Sequence, residues 1–360
     1  DPRSRLRTWF DGDSANAAQH AAAFEAVWSP DPAADPPSPR AVADAASAFA
    51  ASRPSPLLIV VEDAHWIDAS TLEILDHVLD REGARVMLLA LTRPGAQAQW
   101  DRDQEVRIEL QGLDETKSGK LIEATLGAPA EPAVVQRIFA ATEGLPLYLE
   151  EYTRSLRDSE AITLQRGVFR TARLDTEQRT PASLLDLITA RLDTLGDAKL
   201  LAQICSVLGP SAARTALIEV SNLPTEQVDI GIAALSLAGV LSVARGGALS
   251  FRHALFQTAS YESLVREARR TWHSQYLAYL EGDPDRIGRT RPEILGHHLE
   301  GAERHREALD AYLRAGLAAN RASASREAAA HFQKCLDLTS AVSRSEVDEA
   351  FELRLQVHFA

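Results

Sequence analysis

The order of apolar and polar positions divides the chain into segments of different texture. Leu57-Leu-Ile-Val-Val61 is an unbroken apolar run with no position left for a solvated face. It predicts a central strand of a helix-covered parallel sheet, buried on both sides. The run stops at two acids, Glu62 and Asp63. Leu72, Leu75, Val78 and Leu79 then recur at helical spacing behind Asp68, a predicted N-cap. Arg85-Val-Met-Leu-Leu-Ala-Leu91 follows as a second buried strand, closed by Thr92-Arg93-Pro94. Together these make a β-α-β unit. Val106 to Leu110 alternates and predicts a third short strand. Upstream, Asn16 to Trp28 and Val42 to Ala51 are alanine-rich and helical in character, separated by a proline-rich loop from Ser29 to Pro39.

Downstream the punctuation is helical. Asp114 opens an amphipathic helix to Leu126, and a helix over Glu131 to Thr142 ends at Gly144. Pro146 starts the next, Leu147 to Leu156; Gly past one helix end and Pro just inside another is the usual asymmetry. Ala161 to Thr180 predicts a hairpin and linker with Arg166-Gly167 at the turn. From Pro181, three helices are marked by Leu184 to Leu195, Leu200 to Leu208 and Thr225 to Ala238. Val240-Leu-Ser-Val243 and Leu249-Ser-Phe251 then flank Arg245-Gly-Gly247 as a hairpin, so that the set predicts a winged-helix domain. Beyond Arg266 the pattern is helical. Glu307-Ala and Glu327-Ala are each followed by an aromatic four residues after the alanine, Tyr312 and Phe332, which resembles the start of a tetratricopeptide array.

Composition narrows the classes. A chain of 360 residues with 45% hydrophobic residues allows two or three domains with buried cores. A formal charge of −13 and a pI near 5.3 disfavour a polyanion-binding protein. Between Pro181 and Arg270 eight Lys or Arg balance eight Asp or Glu, so the predicted winged helix lacks the basic footprint of DNA readout. Cys205 and Cys335 lie far apart in apolar helical patterns, as buried free thiols in a reducing cytoplasm would. No apolar run approaches the roughly 18 residues needed to span a bilayer, and no signal peptide pattern opens the chain. His297-His298 lacks a ligand at helical spacing and reads as one surface and one core histidine. The opening Asp1 and the interrupted helical pattern at Ala360 lead us to expect a piece of a longer protein.

The candidate chemistry sits at strand ends. Glu62 and Asp63 fall at the carboxyl edge of a predicted parallel sheet, where open α/β folds place ligands. One acid there can hold a magnesium-bound water while its neighbour orients a water attacking a phosphate; acids after a strand also serve as caps or loop residues. Arg93 ends the adjacent strand, where a cation can approach a terminal phosphate or simply stand in an exposed turn. Gly119-Lys120 is the only Gly-Lys pair, but position 114 is Asp and Leu121 carries no hydroxyl, so it is not a phosphate loop. The sequence contains no Walker A motif, and without one the chain as it stands is expected to bind ATP poorly or not at all.

The string Glu62-Asp-Ala-His-Trp-Ile-Asp-Ala-Ser-Thr-Leu-Glu-Ile-Leu75 resembles the Walker B segment of STAND-type regulatory ATPases, the signalling branch of the AAA-like P-loop NTPases. Arg93 resembles the family's sensor 1 arginine. Glu143-Gly-Leu-Pro-Leu-Tyr-Leu-Glu-Glu151 resembles the Gly-x-Pro motif of the helical lid, which implies Pro146 against adenine. Phe251-Arg-His-Ala-Leu-Phe-Gln-Thr-Ala-Ser-Tyr261 resembles the segment whose histidine senses the β-phosphate of ADP, which implies that role for His253; a helix cap is the plain alternative.

The resemblance implies a partial α/β P-loop NTPase-like parallel sheet over 1–130, a helical lid and linker over 131–180, a winged-helix domain over 181–275 and TPR-like repeats over 276–360. It implies an ATP/ADP-dependent switch with magnesium on Glu62 and Asp63, slow hydrolysis, and a Walker A loop upstream of Asp1 in a longer protein. Such modules control an effector domain of the same polypeptide, for example a nucleotide cyclase or a LuxR-type transcriptional regulator. Protein or peptide partners would dock on the repeats, and nucleotide would govern self-association. The alternative is a nucleotide-independent scaffold with a degenerate NTPase fold. A DNA-binding winged-helix regulator is a third reading, weakened by the neutral charge balance.

Overall fold

The computed structural model describes residues 16–28, 37–67, 69–81, 85–93, 105–172, 183–321 and 325–339. Contacts divide the chain into two compact units, one of residues 1–107 with 289–300 and 304–360, the other of 108–288 with 301–303.

In the first unit, α1 (Ala17–Trp28) packs on α2 (Pro39–Ala51) through Ala21, Phe24, Ala48 and Phe49. Small residues bring the two helices close. Ser38 caps α2 by accepting a hydrogen bond from Ala41 N at 3.2 Å, and Pro39 supplies the first turn with a residue that needs no donor. β1 (Leu57–Val61) pairs in parallel with β2 (Val86–Ala90), Leu57 opposite Val86 and Val61 opposite Ala90. Their crossover is α3 (Ala69–Leu79), which packs on α2 and β2. The expected β-α-β unit is present, and the predicted cap Asp68 and the strand-closing Pro94 lie outside the described residues.

Two expectations about strands are corrected. The β1–β2 sheet is not buried on both sides: Leu58, Val60, Met87 and Leu89 are 55%, 49%, 64% and 41% exposed, alternating with half-buried neighbours. A pleated strand sends successive side chains to opposite faces, so when one face is covered every second residue meets solvent. An unbroken apolar run reports what a strand can tolerate and not what covers it. Val106 to Leu110 forms no strand; Val106, Ile108 and Leu110 are all strongly exposed. Alternation becomes a strand only beside a pairing edge.

Three further helices belong to the first unit: α14 (Pro292–Gly301, but for Gly301), α15 (His305–Arg321) and α16 (Ser325–Thr339). The two acid-alanine-aromatic strings fall on equivalent faces, with Ala308, Tyr312, Ala328 and Phe332 all buried. Glycine sets the helix spacing. A Cβ on Gly296 would lie 3.0 Å from the Tyr312 ring, and one on Gly316 would lie 2.4 Å from Phe332. Glu300 accepts the Tyr312 hydroxyl at 2.8 Å and Lys334 at 3.2 Å, tying α14 to both partners. Of the two adjacent histidines, His298 is buried and His297 exposed.

The second unit begins with α4 (Glu115–Leu126), capped by Asp114, which accepts Lys117 N at 2.8 Å. α5 (Pro132–Thr142) and α6 (Pro146–Asp158) pack with it around Ile122, Val134, Ile138, Leu149 and Tyr152. β3 (Ile162–Gln165) and β4 (Val168–Thr171) form the expected hairpin; Arg166 and Gly167 both take positive φ, 52° and 81°, as its two-residue turn demands.

The remainder of this unit is α7 (Leu184–Asp193), α8 (Asp197–Leu208), β5 (Ser211–Ala213), α9 (Arg214–Ser221), α10 (Thr225–Leu237), β6 (Leu241–Val243) and β7 (Ala248–Phe251). The predicted β6–β7 hairpin is present, and β5 pairs with the other edge of β7. α9 and β5 were not legible, because Ser211 to Ser221 is too short to display a periodic face. The core gathers Ile188, Leu192, Leu201, Ile204, Cys205, Leu217, Leu235 and Phe256. α11 (Ala254–Glu262), α12 (Arg266–Glu281) and α13 (Pro284–Arg289) follow.

Candidate functional site

The parallel register of β1 and β2 decides where the acids and the arginine go. Val61 lies opposite Ala90, Leu91 N donates to Val61 O at 2.9 Å, and Ala64 N donates to Leu91 O at 2.8 Å. Glu62 and Asp63 therefore leave the sheet beside the segment Leu91-Thr92-Arg93, all at one carboxyl edge. All three candidate side chains are exposed. Asp63 is left-handed, φ 50° and ψ 41°, and opens a single 3-10 turn over Ala64–Trp66 without capping it by its side chain. Aspartate tolerates this region better than most residues with a Cβ, and Glu143, Glu160, Arg166, Asn222 and Glu303 also take it. His65 Nε2 stands 3.9 Å from Asp63 Oδ1.

Two adjacent carboxylates at an open edge are hard oxygen donors, which suits magnesium, an ion that takes one or two carboxylates and keeps waters or phosphate oxygens for its other positions. Glu62 and Asp63 are donors of that chemical type. Among the described residues no group of three or more His, Cys, Asp or Glu converges on a common point.

In the second unit, Pro146 occupies the first turn of α6 and is exposed. The glycine of the same string has a structural duty. Gly144 has φ 75°, and a Cβ there would lie 2.1 Å from Leu113 O; Leu113 N donates to Gly144 O at 2.8 Å. Only glycine admits that crossing of two backbones.

His253 stands at the N-cap position of α11 in extended backbone, φ −136° and ψ 140°, but its side chain makes no cap bond. It is exposed and stacks on Phe256 with ring centres 6.4 Å apart. The capping alternative is thus met in position and not in bonding. His253 lines a cavity of about 350 Å³ whose other walls include Glu151, Arg154, Arg191, Ser236 and Arg252. Pro146 does not line it. Glu62, Asp63 and Arg93 belong to the first unit, Pro146 and His253 to the second.

Sequence reasoning missed the charged centre of this cavity. Glu151 is 2% exposed and accepts Arg154 at 2.6 Å and also Arg191. The other arm of Arg191 donates to Ala238 O at the end of α10, and its guanidinium lies 5.8 Å from the Phe256 ring centre. The only sequence signal was an acid on the apolar face of α6, among Leu149, Tyr152, Thr153 and Leu156.

No family model matches the chain. An uncharacterized protein of Rhizobium meliloti (strain 1021) is 28% identical over 329 residues, which cover 84% of this chain and 30% of that protein. Among solved structures, a Signal Transduction ATPase with Numerous Domains (STAND) protein with a tetratricopeptide repeat sensor, from Pyrococcus horikoshii, matches with a TM-score of 0.51 at 12% identity. That match covers 93% of this chain and 49% of the archaeal one. The chain is therefore similar in fold to a STAND protein over nearly all its length, and it spans less than half of either similar protein. No helix among the described residues is long and apolar enough to cross a membrane.

Proposed function

We propose that the chain is part of a regulatory ATP/ADP-dependent switch of the STAND kind. The observation that carries this reading is that Glu62, Asp63 and Arg93 follow the two strands at one carboxyl edge of a parallel sheet, in a chain similar in fold to a STAND protein with a tetratricopeptide repeat sensor. Residues 1–130 would be part of the nucleotide domain, 131–180 its lid with linker, 181–275 a winged helix and 276–360 repeats for protein or peptide partners. The order helix, helix, short strand, helix, helix, hairpin in α7 to β7 supports the winged-helix reading.

In this reading Glu62 and Asp63 would hold magnesium, which would supply charge neutralisation to the phosphates of ATP. One of the two acids would orient the attacking water, the role tested at Asp63, and Arg93 would meet the terminal phosphate. Pro146 packs on adenine and His253 donates to a phosphate of ADP. Hydrolysis is slow, self-association follows nucleotide state, and the output is an effector domain such as a cyclase or transcriptional regulator elsewhere in a longer polypeptide.

The test is a titration of ADP and Mg-ATP against the longer protein that carries the sequence upstream of Asp1, with and without Asp63→Ala. We expect ADP binding in both and at least a hundredfold loss of ATP turnover in the variant, the order of loss seen when a positioned catalytic group is removed. Unchanged turnover and assembly in Asp63→Ala would remove the role given to it. The absence of a phosphate-loop motif from these 360 residues favours a second reading, a nucleotide-independent scaffold. Failure of the longer protein to bind either nucleotide would establish that one.

A further inference from the structure

The cavity beside His253 is built around a buried charge pair that no role above requires. Glu151 on α6 is held by Arg154 of its own helix and by Arg191 of α7. Arg191 is 16% exposed, and its two arms are divided between Glu151 and the carbonyl of Ala238, which ends α10. One guanidinium thereby joins three helices that are far apart in sequence. A lysine could serve both acceptors only if they approached one nitrogen, whereas the guanidinium reaches them with two nitrogens held apart in a rigid plane.

We propose that Glu151 and Arg191 form a coupling latch, positioning residues that pass the placement of α6 to α7 and to the end of α10. As the regulation of the switch this rests on the reading above; as a mechanical link it stands without it. One general argument and two observations support a latch over a plain stabilising bridge. A buried ion pair contributes little to stability compared with apolar side chains of similar volume, yet removing one partner strands a charge, so the pair adds little while it holds and costs much when one side is lost. The cavity of about 350 Å³ borders both side chains, which leaves them room to part without repacking the core. The apolar seam between α6 and α7 is narrow: Leu187 is buried with the α4–α6 core, and Leu184 lies between that core and the next.

The experiment is hydrogen exchange measured by mass spectrometry on the full 360-residue chain without nucleotide. Arg191→Lys keeps the charge and loses the fork, whereas Glu151→Gln keeps the shape and loses the charge. Both are expected to accelerate exchange at least tenfold in α6 and in residues 238–243, and to leave α8 and α15 within twofold of the parent. Arg154→Gln, which leaves the link to Arg191 in place, is expected to change neither region more than twofold.

Protection of α6 and 238–243 equal to the parent in both variants overturns the proposal. A uniform rise across α8, α12 and α15 in both also overturns it, since the pair would then serve global stability alone. Because no nucleotide is present, failure here is separate from failure of the switch reading. Exchange in the longer protein that ignores ADP and ATP would sink the switch and leave the latch standing.

Discussion

Gly316 sits in the middle of α15, where glycine ordinarily weakens a helix, and replacing it tests how α15 and α16 are packed. In an exposed helix interior Gly→Ala gains about 1 kcal/mol. Here the new methyl would lie 2.4 Å from Phe332 Cε1, 2.7 Å from Cδ1 and 2.9 Å from Cζ, so the ring must retreat by about 1 Å to reach ordinary contact. Phe332 is 3% exposed and has little free space to retreat into. Overpacking of this kind costs about 1–3 kcal/mol, which leaves Gly316→Ala destabilising by about 1 kcal/mol after the helix gain. Phe332→Ala alone costs about 3–5 kcal/mol. With the ring gone, Gly316→Ala should turn stabilising by about 1 kcal/mol, so the two positions couple by about 2 kcal/mol. The four proteins of this cycle would be compared by urea unfolding, with hydrogen exchange in α15 and α16 as the local readout, because a chain of two units need not unfold in one step. Additivity within about 0.5 kcal/mol would refute the claim that the ring fills the place of the missing side chain.

Gly144→Ala combines a positive φ with a 2.1 Å approach to Leu113 O, so it should destabilise the α4–α6 core by more than about 2 kcal/mol; a urea midpoint close to the parent's would show that the crossing can relax. Burial pushes the thiols of Cys205 and Cys335 up to about 12, from an ordinary 9.0. Their folded-state values are raised, so the stability they contribute is complete below pH 9 and declines as pH rises towards 12. Iodoacetamide at pH 8 should accordingly label neither thiol until denaturant unfolds the chain, and rapid labelling of the folded protein would contradict the burial.

The sequence carried much of the local structure of this chain, and it did so where a residue's own chemistry leaves few choices. Arg166-Gly167 named one hairpin because a two-residue turn with positive φ at both positions admits few residue types, and Arg245-Gly-Gly247 named the other, whose four-residue loop 244–247 needs positive φ at Gly247. Asp114 and Pro146 marked their helix starts for similarly local reasons. The helical faces around Ile188 and around Phe332 were legible from spacing alone. Where the residues involved were distant in sequence, the reading failed or stayed blind. Leu57 to Val61 looked doubly buried, but exposure depends on what lies over each face, and Leu58 and Val60 face outward. Val106, Ile108 and Leu110 had the alternation of a strand and no edge to pair with.

The candidate site divides in the same way. Glu62, Asp63 and Arg93 could be picked out one by one, because charged residues that end apolar runs stand out against them. That the three share one sheet edge is a consequence of parallel register, set by hydrogen bonds between strands separated by α3. The left-handed backbone of Asp63 and the duty of Gly144 beside Leu113 appear only once the chain has folded back on itself. Glu151 and Arg191 are forty residues apart and carry no shared motif. Their meeting was decided by the packing of α6 on α7, since a buried carboxylate must find its partner in space, and spacing along a chain cannot say where that partner will be.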